Sequence, residues 1–236
     1  MKATVLIPAA GMGRRMGTAV SKQYLSLAGK PILAHTISQF EYHPQVNHIY
    51  LIVPEGDITY CREQIVEQYG FGKVIRIVAG GAERQDSVLN GLNAVAEDGF
   101  DQPERPILIH DGARPLFDSA LLTRLIDIVA AQGACAVGVP VKDTIKDVEN
   151  RQIMGSPDRK RLWHAQTPQG FQYQLIKQAF DQAINDGFCG TDDASLLERT
   201  GINVQMLEGD YRNIKVTTQE DLLIAAALLD TIGKVS

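Results

Sequence analysis

Phosphate-handling residues cluster at the start of the sequence. The apolar run Thr4-Val-Leu-Ile-Pro8 leads through Ala9 and Ala10 into Gly11-Met-Gly-Arg-Arg15, and Lys22 follows. Gly11 and Gly13 permit close backbone approach. Arg14, Arg15 and Lys22 add donors that carry charge and accept nothing, which suits anions. N–H groups and fixed positive charge at the end of a strand suit a ligand with several phosphates. The competing reading is a tight strand-to-helix turn with solvated arginines. A dinucleotide-binding loop is excluded, because Met16 stands where its third glycine belongs, and the P-loop spacing is absent.

Further segments carry usable groups. In Gly80-Gly-Ala-Glu-Arg-Gln-Asp-Ser87, the glycines let backbone lie against a flat ring, and Asp86 or Ser87 is the expected helix cap. In His110-Asp-Gly-Ala-Arg-Pro115, Asp111 is suited to a ribose hydroxyl or to Mg²⁺, and Arg114 to a phosphate. The alternative there is a plain Asp–Arg ion pair. Thr167-Pro-Gln-Gly-Phe171 and Thr191-Asp-Asp-Ala-Ser195 place hydroxyls at a turn or helix start, with Thr191 equally suited to capping or to ligand binding. In Asn213-Ile-Lys-Val-Thr217, Lys215 alternates with apolar neighbours; solvent is the default direction and a cleft the alternative. The histidines lack metal-ligand spacing, no Gly-x-Ser-x-Gly elbow occurs, and neither Cys61 nor Cys189 has a nucleophile's context.

The elements that must position these groups alternate. Strands are expected at Val5–Pro8, His48–Val53, Val74–Val78, Ile107–His110, Cys135–Val139 and Val204–Leu207. Helices follow Pro31, Ser87, Asp118, Tyr173 and Thr191, and a last helix starts at Thr218 with Asp221 in its capping box. This pattern predicts an α/β, Rossmann-like, mostly parallel sheet sandwiched by helices, with ligands at the carboxyl ends of the strands. The first loop and His110-Asp111 would then share a crevice. Residues 1–236 read as one domain. Within it, polar Val141–Trp163 reads as a projecting β-hairpin arm. A lone hairpin is marginal in water, so pairing with a second subunit is expected, a mobile surface loop being the alternative.

The chain has 236 residues and a net charge of −5, which argues against nonspecific nucleic-acid binding and leaves a small anionic ligand for a local cationic pocket. Cys61, Cys135 and Cys189 form neither a disulfide framework nor a metal spacing. With no signal-like segment before the first strand and no membrane-length apolar run, a cytoplasmic location and no membrane partner are expected.

Taken in order, these segments closely resemble the 2-C-methyl-D-erythritol 4-phosphate cytidylyltransferase family of the non-mevalonate isoprenoid pathway. The resemblance runs through Pro8-Ala-Ala-Gly-Met-Gly-Arg-Arg-Met16, Lys22-Gln-Tyr24, Gly80-Gly-Ala-Glu-Arg84, Asp86-Ser-Val88 and His110-Asp-Gly-Ala-Arg-Pro115. It continues through Pro140-Val-Lys-Asp-Thr144, Leu162-Trp-His-Ala-Gln-Thr-Pro-Gln169, Thr191-Asp192 and Asn213-Ile-Lys-Val-Thr217. It implies a nucleotidyltransferase-type fold, dimeric through the arm. It also implies transfer of CMP from CTP to methylerythritol phosphate with Mg²⁺, releasing pyrophosphate.

The resemblance further implies that Ala9, Ala10, Gly11, Gly13, Arg15, Lys22, Gly81, Ala82, Ser87 and Asp111 hold CTP. Asp111, Arg114, Thr144, Arg159, Thr167, Thr191 and Lys215 would hold the sugar phosphate, with Arg159 reaching into a partner's site. Arg15, Lys22, Arg159 and Lys215 would be the catalytic set, and Asp111 the residue nearest Mg²⁺. Gly112 and Ala82 depart from the family's usual Ala and Asp, a mild change if Ala82 contributes backbone contacts. Two other functions remain: a ribitol-5-phosphate cytidylyltransferase, and a noncatalytic nucleotide-binding regulator, which would have little need of Arg15, Lys22 and Lys215 around a leaving group. The run from Asp143-Thr144 to Gln166-Thr-Pro-Gln169 favours methylerythritol phosphate.

Overall fold

The computed structural model describes residues 1–11 and 21–235. Strand β1 is Ala3–Pro8, and a short pair, β2 Ser26–Leu27 and β3 Lys30–Pro31, precedes helix α1 Ile32–Glu41. Then come β4 Val46–Val53, the short helix α2 Ile58–Cys61 with a π-helical continuation Arg62–Glu67, β5 Val74–Ala79 and α3 Arg84–Glu97. The second half holds β6 Pro106–Ile109, α4 Leu121–Gln132, β7 Ala134–Pro140, the arm strands β8 Asp147–Glu149 and β9 Gln152–Gly155, and β10 Trp163–Gln172. Helices α5 Tyr173–Asn185 and α6 Asp193–Arg199, strand β11 Gln205–Glu208 and helix α7 Gln219–Val235 complete the chain.

Seven strands form one sheet in the order β11-β7-β10-β6-β1-β4-β5. All neighbours are parallel except β10, which runs antiparallel to both β6 and β7. The alternation of side chains along each strand divides two cores. Val5, Ile7, Ile49 and Leu51 face the layer of α1 and α4, whereas Leu6, Tyr50 and Ile52 face α3, α5 and α6. Strands buried on both faces account for the near-continuous apolar runs that made β1 and β4 easy to recognise.

Strand β10 is the main departure from the expected pattern. Its register with β7 is interrupted between Ala165 and Gln169, and Gln166, Thr167 and Gln169 are buried. Thr167 therefore sits within a central strand, not at a turn or helix start, and the Thr167–Pro168 peptide is cis. Helix α2 was also absent from the expected elements. The capping box at the last helix is present: Asp221 Oδ2 accepts from Thr218 N at 2.9 Å, and Thr218 Oγ1 accepts from Asp221 N at 3.2 Å.

The arm holds a separate two-stranded sheet whose first strand starts at Asp147, so the paired part is shorter than Val141–Trp163. Asn150 and Arg151 both have positive φ, as a two-residue primed turn demands. No helix among the described residues is long and apolar enough to cross a membrane.

Candidate active site

The carboxyl ends of β1, β5 and β6 meet the turn at Lys22 around a cleft of about 250 Å³. Ala9, Ala10 and Gly11 line one wall and Gly81, Ala82 and Ser87 the other, with Lys22, Asp111 and Lys215 also at its surface. The start of the first loop, as far as Gly11, and Asp111 do share a crevice. Gly13, Arg14 and Arg15 lie outside the described residues.

The Gly80–Ser87 wall is held by local hydrogen bonds. Ser87 Oγ accepts from Gly81 N at 3.0 Å and donates to Glu83 O at 3.0 Å. Glu83 is the N-cap of α3, and Asp86 reaches back to accept from its N–H at 3.0 Å, so neither Asp86 nor Ser87 is the cap. Gly80 N donates to Val53 O at 2.8 Å, which sets the loop against β4. A Cβ on Gly80 would overlap the Ala10 Cβ and crowd Ser87 Oγ. Gly80→Ala is therefore expected to cost about 1–3 kcal/mol through overpacking. An unchanged thermal midpoint would contradict that tight approach.

A second pocket of about 260 Å³ opens beside the first and is lined by Arg114, Thr167, Gln169 and Thr191. Arg84, Asp111 and Lys215 line both pockets. Lys215 Nζ lies 2.8 Å from Asp111 Oδ2, so this lysine turns into the cleft, contrary to its default reading as a solvent residue. Thr191 is not the cap of α6. Asp192 is, with its Oδ1 accepting from Ser195 N at 3.0 Å, which leaves Thr191 at the pocket wall. Thr144 and Arg159 line neither pocket of their own chain, and Arg159 Nη1 donates to Lys142 O at 2.7 Å.

The centre of the site is an ion network that the sequence left largely hidden. Arg84 Nε donates to Asp111 Oδ1 at 3.1 Å, and its Nη1 and Nη2 grip both oxygens of Asp193 at 2.9 and 2.6 Å. Arg114 Nε stands 3.6 Å from Asp111 Oδ2, and its Nη1 donates to Asn213 O at 2.7 Å. Arg114 is thus tied into the ion pair first offered as the alternative to phosphate binding. Burial opposes the charge on Asp111, but Arg84, Lys215 and Arg114 outweigh it and hold the carboxyl well below the usual carboxylate range. Burial likewise opposes the charge on Arg84, but Asp193 and Asp111 more than offset it and keep Arg84 protonated.

Asp111 does not fit the expected role of metal ligand. Each of its oxygens already faces at least one cation, and a divalent ion there would enter a field of three positive groups. Among the described residues, no group of three His, Cys, Asp or Glu side chains could hold a metal. Arg84 and Asp193 were missing from the sequence-derived site, although both stand inside segments singled out there. Nothing local marks their pairing, because they lie 109 positions apart. Cys61 and Cys135 are core residues whose thiols burial pushes up to about 12 and about 11, in keeping with their lack of a catalytic context.

His110 is fully buried at the end of β6 against the Phe40 and Phe117 rings, and burial pulls its pKa down to about 4 from 6.5. Between those values the unfolded chain binds the proton that the folded state refuses. Stability from this group is complete above pH 6.5 and falls, by about 3 kcal/mol in all, as pH drops towards 4. Urea unfolding at pH 7 and pH 4.5 should show a larger loss in wild type than in His110→Asn. Equal losses would contradict a buried neutral imidazole.

Fold and cleft together define an α/β nucleotidyltransferase. The chain belongs to the 2-C-methyl-D-erythritol 4-phosphate cytidylyltransferase family, whose model matches residues 3–231. Relatives of that name from Geotalea uraniireducens and Syntrophotalea carbinolica are each 54% identical over 99% of this chain and cover 99% and 98% of their own lengths. The crystal structure of 4-diphosphocytidyl-2C-methyl-D-erythritol synthase from Anaerococcus prevotii superposes with a TM-score of 0.83 at 30% identity. That match covers 97% of this chain and 96% of the other. These likenesses favour this family over a ribitol-phosphate enzyme or a noncatalytic regulator.

Proposed function

We propose that the protein transfers the cytidylyl group of CTP to 2-C-methyl-D-erythritol 4-phosphate, giving 4-diphosphocytidyl-2-C-methyl-D-erythritol and pyrophosphate. The observation that carries this reading is the meeting of two pockets at Arg84, Asp111 and Lys215, one walled by glycine-rich backbone and the other by hydroxyl and cationic groups. The nucleotide belongs in the first and the sugar phosphate in the second.

A phosphate oxygen of the sugar attacks the α-phosphorus of CTP. The new P–O bond forms as the bond to the β-phosphate oxygen breaks, and pyrophosphate leaves with the electron pair. A phosphate monoester has a second pKa of about 6, so the nucleophile is already dianionic and needs no general base. The protein's task is to bring two anions together. Arg15 and Lys22 are assigned to the charge on the α-phosphate and leaving group, and Lys215 to the incoming phosphate. Mg²⁺ bound with CTP would supply further neutralisation of the triphosphate charge. The enzyme would work in the cytoplasm.

The arm supports a homodimer. Val148, Ile153 and Met154 are exposed on a hairpin that would be marginal alone. Arg159 and Thr144 line neither of these two pockets of their own chain, so they are assigned to the site of a second copy. Analytical ultracentrifugation at micromolar concentration should show a dimer that Ile153→Asp dissociates. A monomeric wild type would rule this out.

Pyrophosphate release measured with four nucleoside triphosphates and two alditol phosphates tests the reaction. Release only with CTP and methylerythritol phosphate is expected. Equal or better use of ribitol 5-phosphate, or no release with either, would overturn the assignment.

A further inference from the structure

Behind the second pocket runs a hydrogen-bonded chain that the reaction scheme has not used. Asp111 N donates to Thr167 Oγ1 at 3.0 Å, Thr167 Oγ1 lies 3.1 Å from His110 Nδ1, and His110 Nε2 lies 3.0 Å from Arg114 O. The proton positions follow from the end of the chain. A carbonyl oxygen only accepts, so His110 Nε2 carries the hydrogen. A ring kept neutral by burial then has a bare lone pair at Nδ1. The hydroxyl hydrogen of Thr167 must point at that lone pair. A hydroxyl has one donor and two acceptor positions. The donor is spent on His110, and one acceptor on Asp111 N.

Thr167 lines the second pocket, and its hydroxyl has a single lone pair unspent. We propose that His110 is a positioning residue that fixes Thr167 as an acceptor without a donor, so that this point of the pocket reads a hydroxyl of the polyol substrate and turns phosphate away. Phosphate offers only acceptors at neutral pH and would meet that lone pair unfavourably. The substrate is thereby oriented with its phosphate towards Lys215 and a hydroxyl towards Thr167. This inference rests on the cytidylyltransferase reading above.

The test uses the full-length enzyme. Asparagine at 110 keeps an acceptor where Nδ1 lies and loses the donor to Arg114 O. Glutamine keeps a donor near Nε2 and loses the acceptor facing Thr167. His110→Gln and Thr167→Val should each raise KM for methylerythritol phosphate by about five- to tenfold, the scale of one lost hydrogen bond. His110→Asn should stay within about twofold of wild type on the same scale. KM for CTP should not move in any of the three. Equal effects of His110→Asn and His110→Gln, or a parallel rise in KM for CTP, would overturn the proposal.

Nitrogen NMR of the wild-type histidines, which needs neither turnover nor a variant, should find His110 as the Nε2–H tautomer. Finding the Nδ1–H tautomer or a charged ring at pH 7 would overturn it equally. Failure of wild type to turn over CTP with methylerythritol phosphate would instead strike the underlying functional reading.

Discussion

Lys22→Ala should lower turnover by about 10²–10³-fold, the usual loss on removing one electrostatic stabiliser of a transition state. The two substrates meet as anions, and negative charge grows on the pyrophosphate as it leaves. Lys22 lies at the wall of the nucleotide cleft, where the end of β1 and the Gly81–Ser87 loop also converge. A charge in such a cleft, with protein on several sides, acts through a lower dielectric than bulk water. Arg15→Ala is expected to behave alike, because Arg15 closes the glycine-rich segment that leads from β1 towards Lys22 in the sequence. The measurement is kcat at saturating CTP and methylerythritol phosphate, with thermal melts to show that the fold survives. Turnover within a few-fold of wild type would remove both residues from the catalytic set.

The second large effect falls on stability. Asp193 is 1% exposed, and both of its oxygens are committed to Arg84. Asp193→Ala leaves the Arg84 guanidinium half paired at the junction of the two pockets. Breaking one side of a buried pair typically costs about 3–5 kcal/mol. Arg84 keeps about a third of its side chain exposed, so water in the pocket partly replaces the lost partner and about 3 kcal/mol is expected. At about 2–4 °C per kcal/mol for a chain of this size, the melting point should drop by about 10 °C. Denaturant titration measures the loss directly. Arg84→Met/Asp193→Leu should recover part of it, because no charge is then stranded. A loss below about 1 kcal/mol for Asp193→Ala would mean that the pair contributes little.

Most of the parallel scaffold was readable because its rules are local. β1, β4, β5, β6 and β7 are apolar runs ended by turn or helix signals, and a capping box marks the start of α7. β10 escaped because it carries polar residues into the middle of the sheet. Gln169 is acceptable there because its Nε2 donates to Asp192 Oδ2 at 2.8 Å and its Oε1 accepts from Ala194 N at 2.9 Å. Gln166 Nε2 donates to Asp210 O at 2.9 Å. Those partners lie between 23 and 44 positions away, beyond any window in which periodicity is read.

The site divides the same way. Residue types alone established that anions are bound: glycines that expose backbone N–H groups, then arginines and lysines that cannot accept a hydrogen bond. The order of segments in the chain was enough to indicate the family. Tertiary structure decided what each charge faces. It turned Lys215 from solvent to Asp111, joined Arg84 to Asp193, bound Arg114 into the same network, and set three cations around the carboxylate once considered for Mg²⁺. Helix caps and strand alternation act over a few residues, so sequence encodes them legibly. Ion pairing and proton direction depend on groups brought together from distant segments, and only the folded chain brings them within 3 Å.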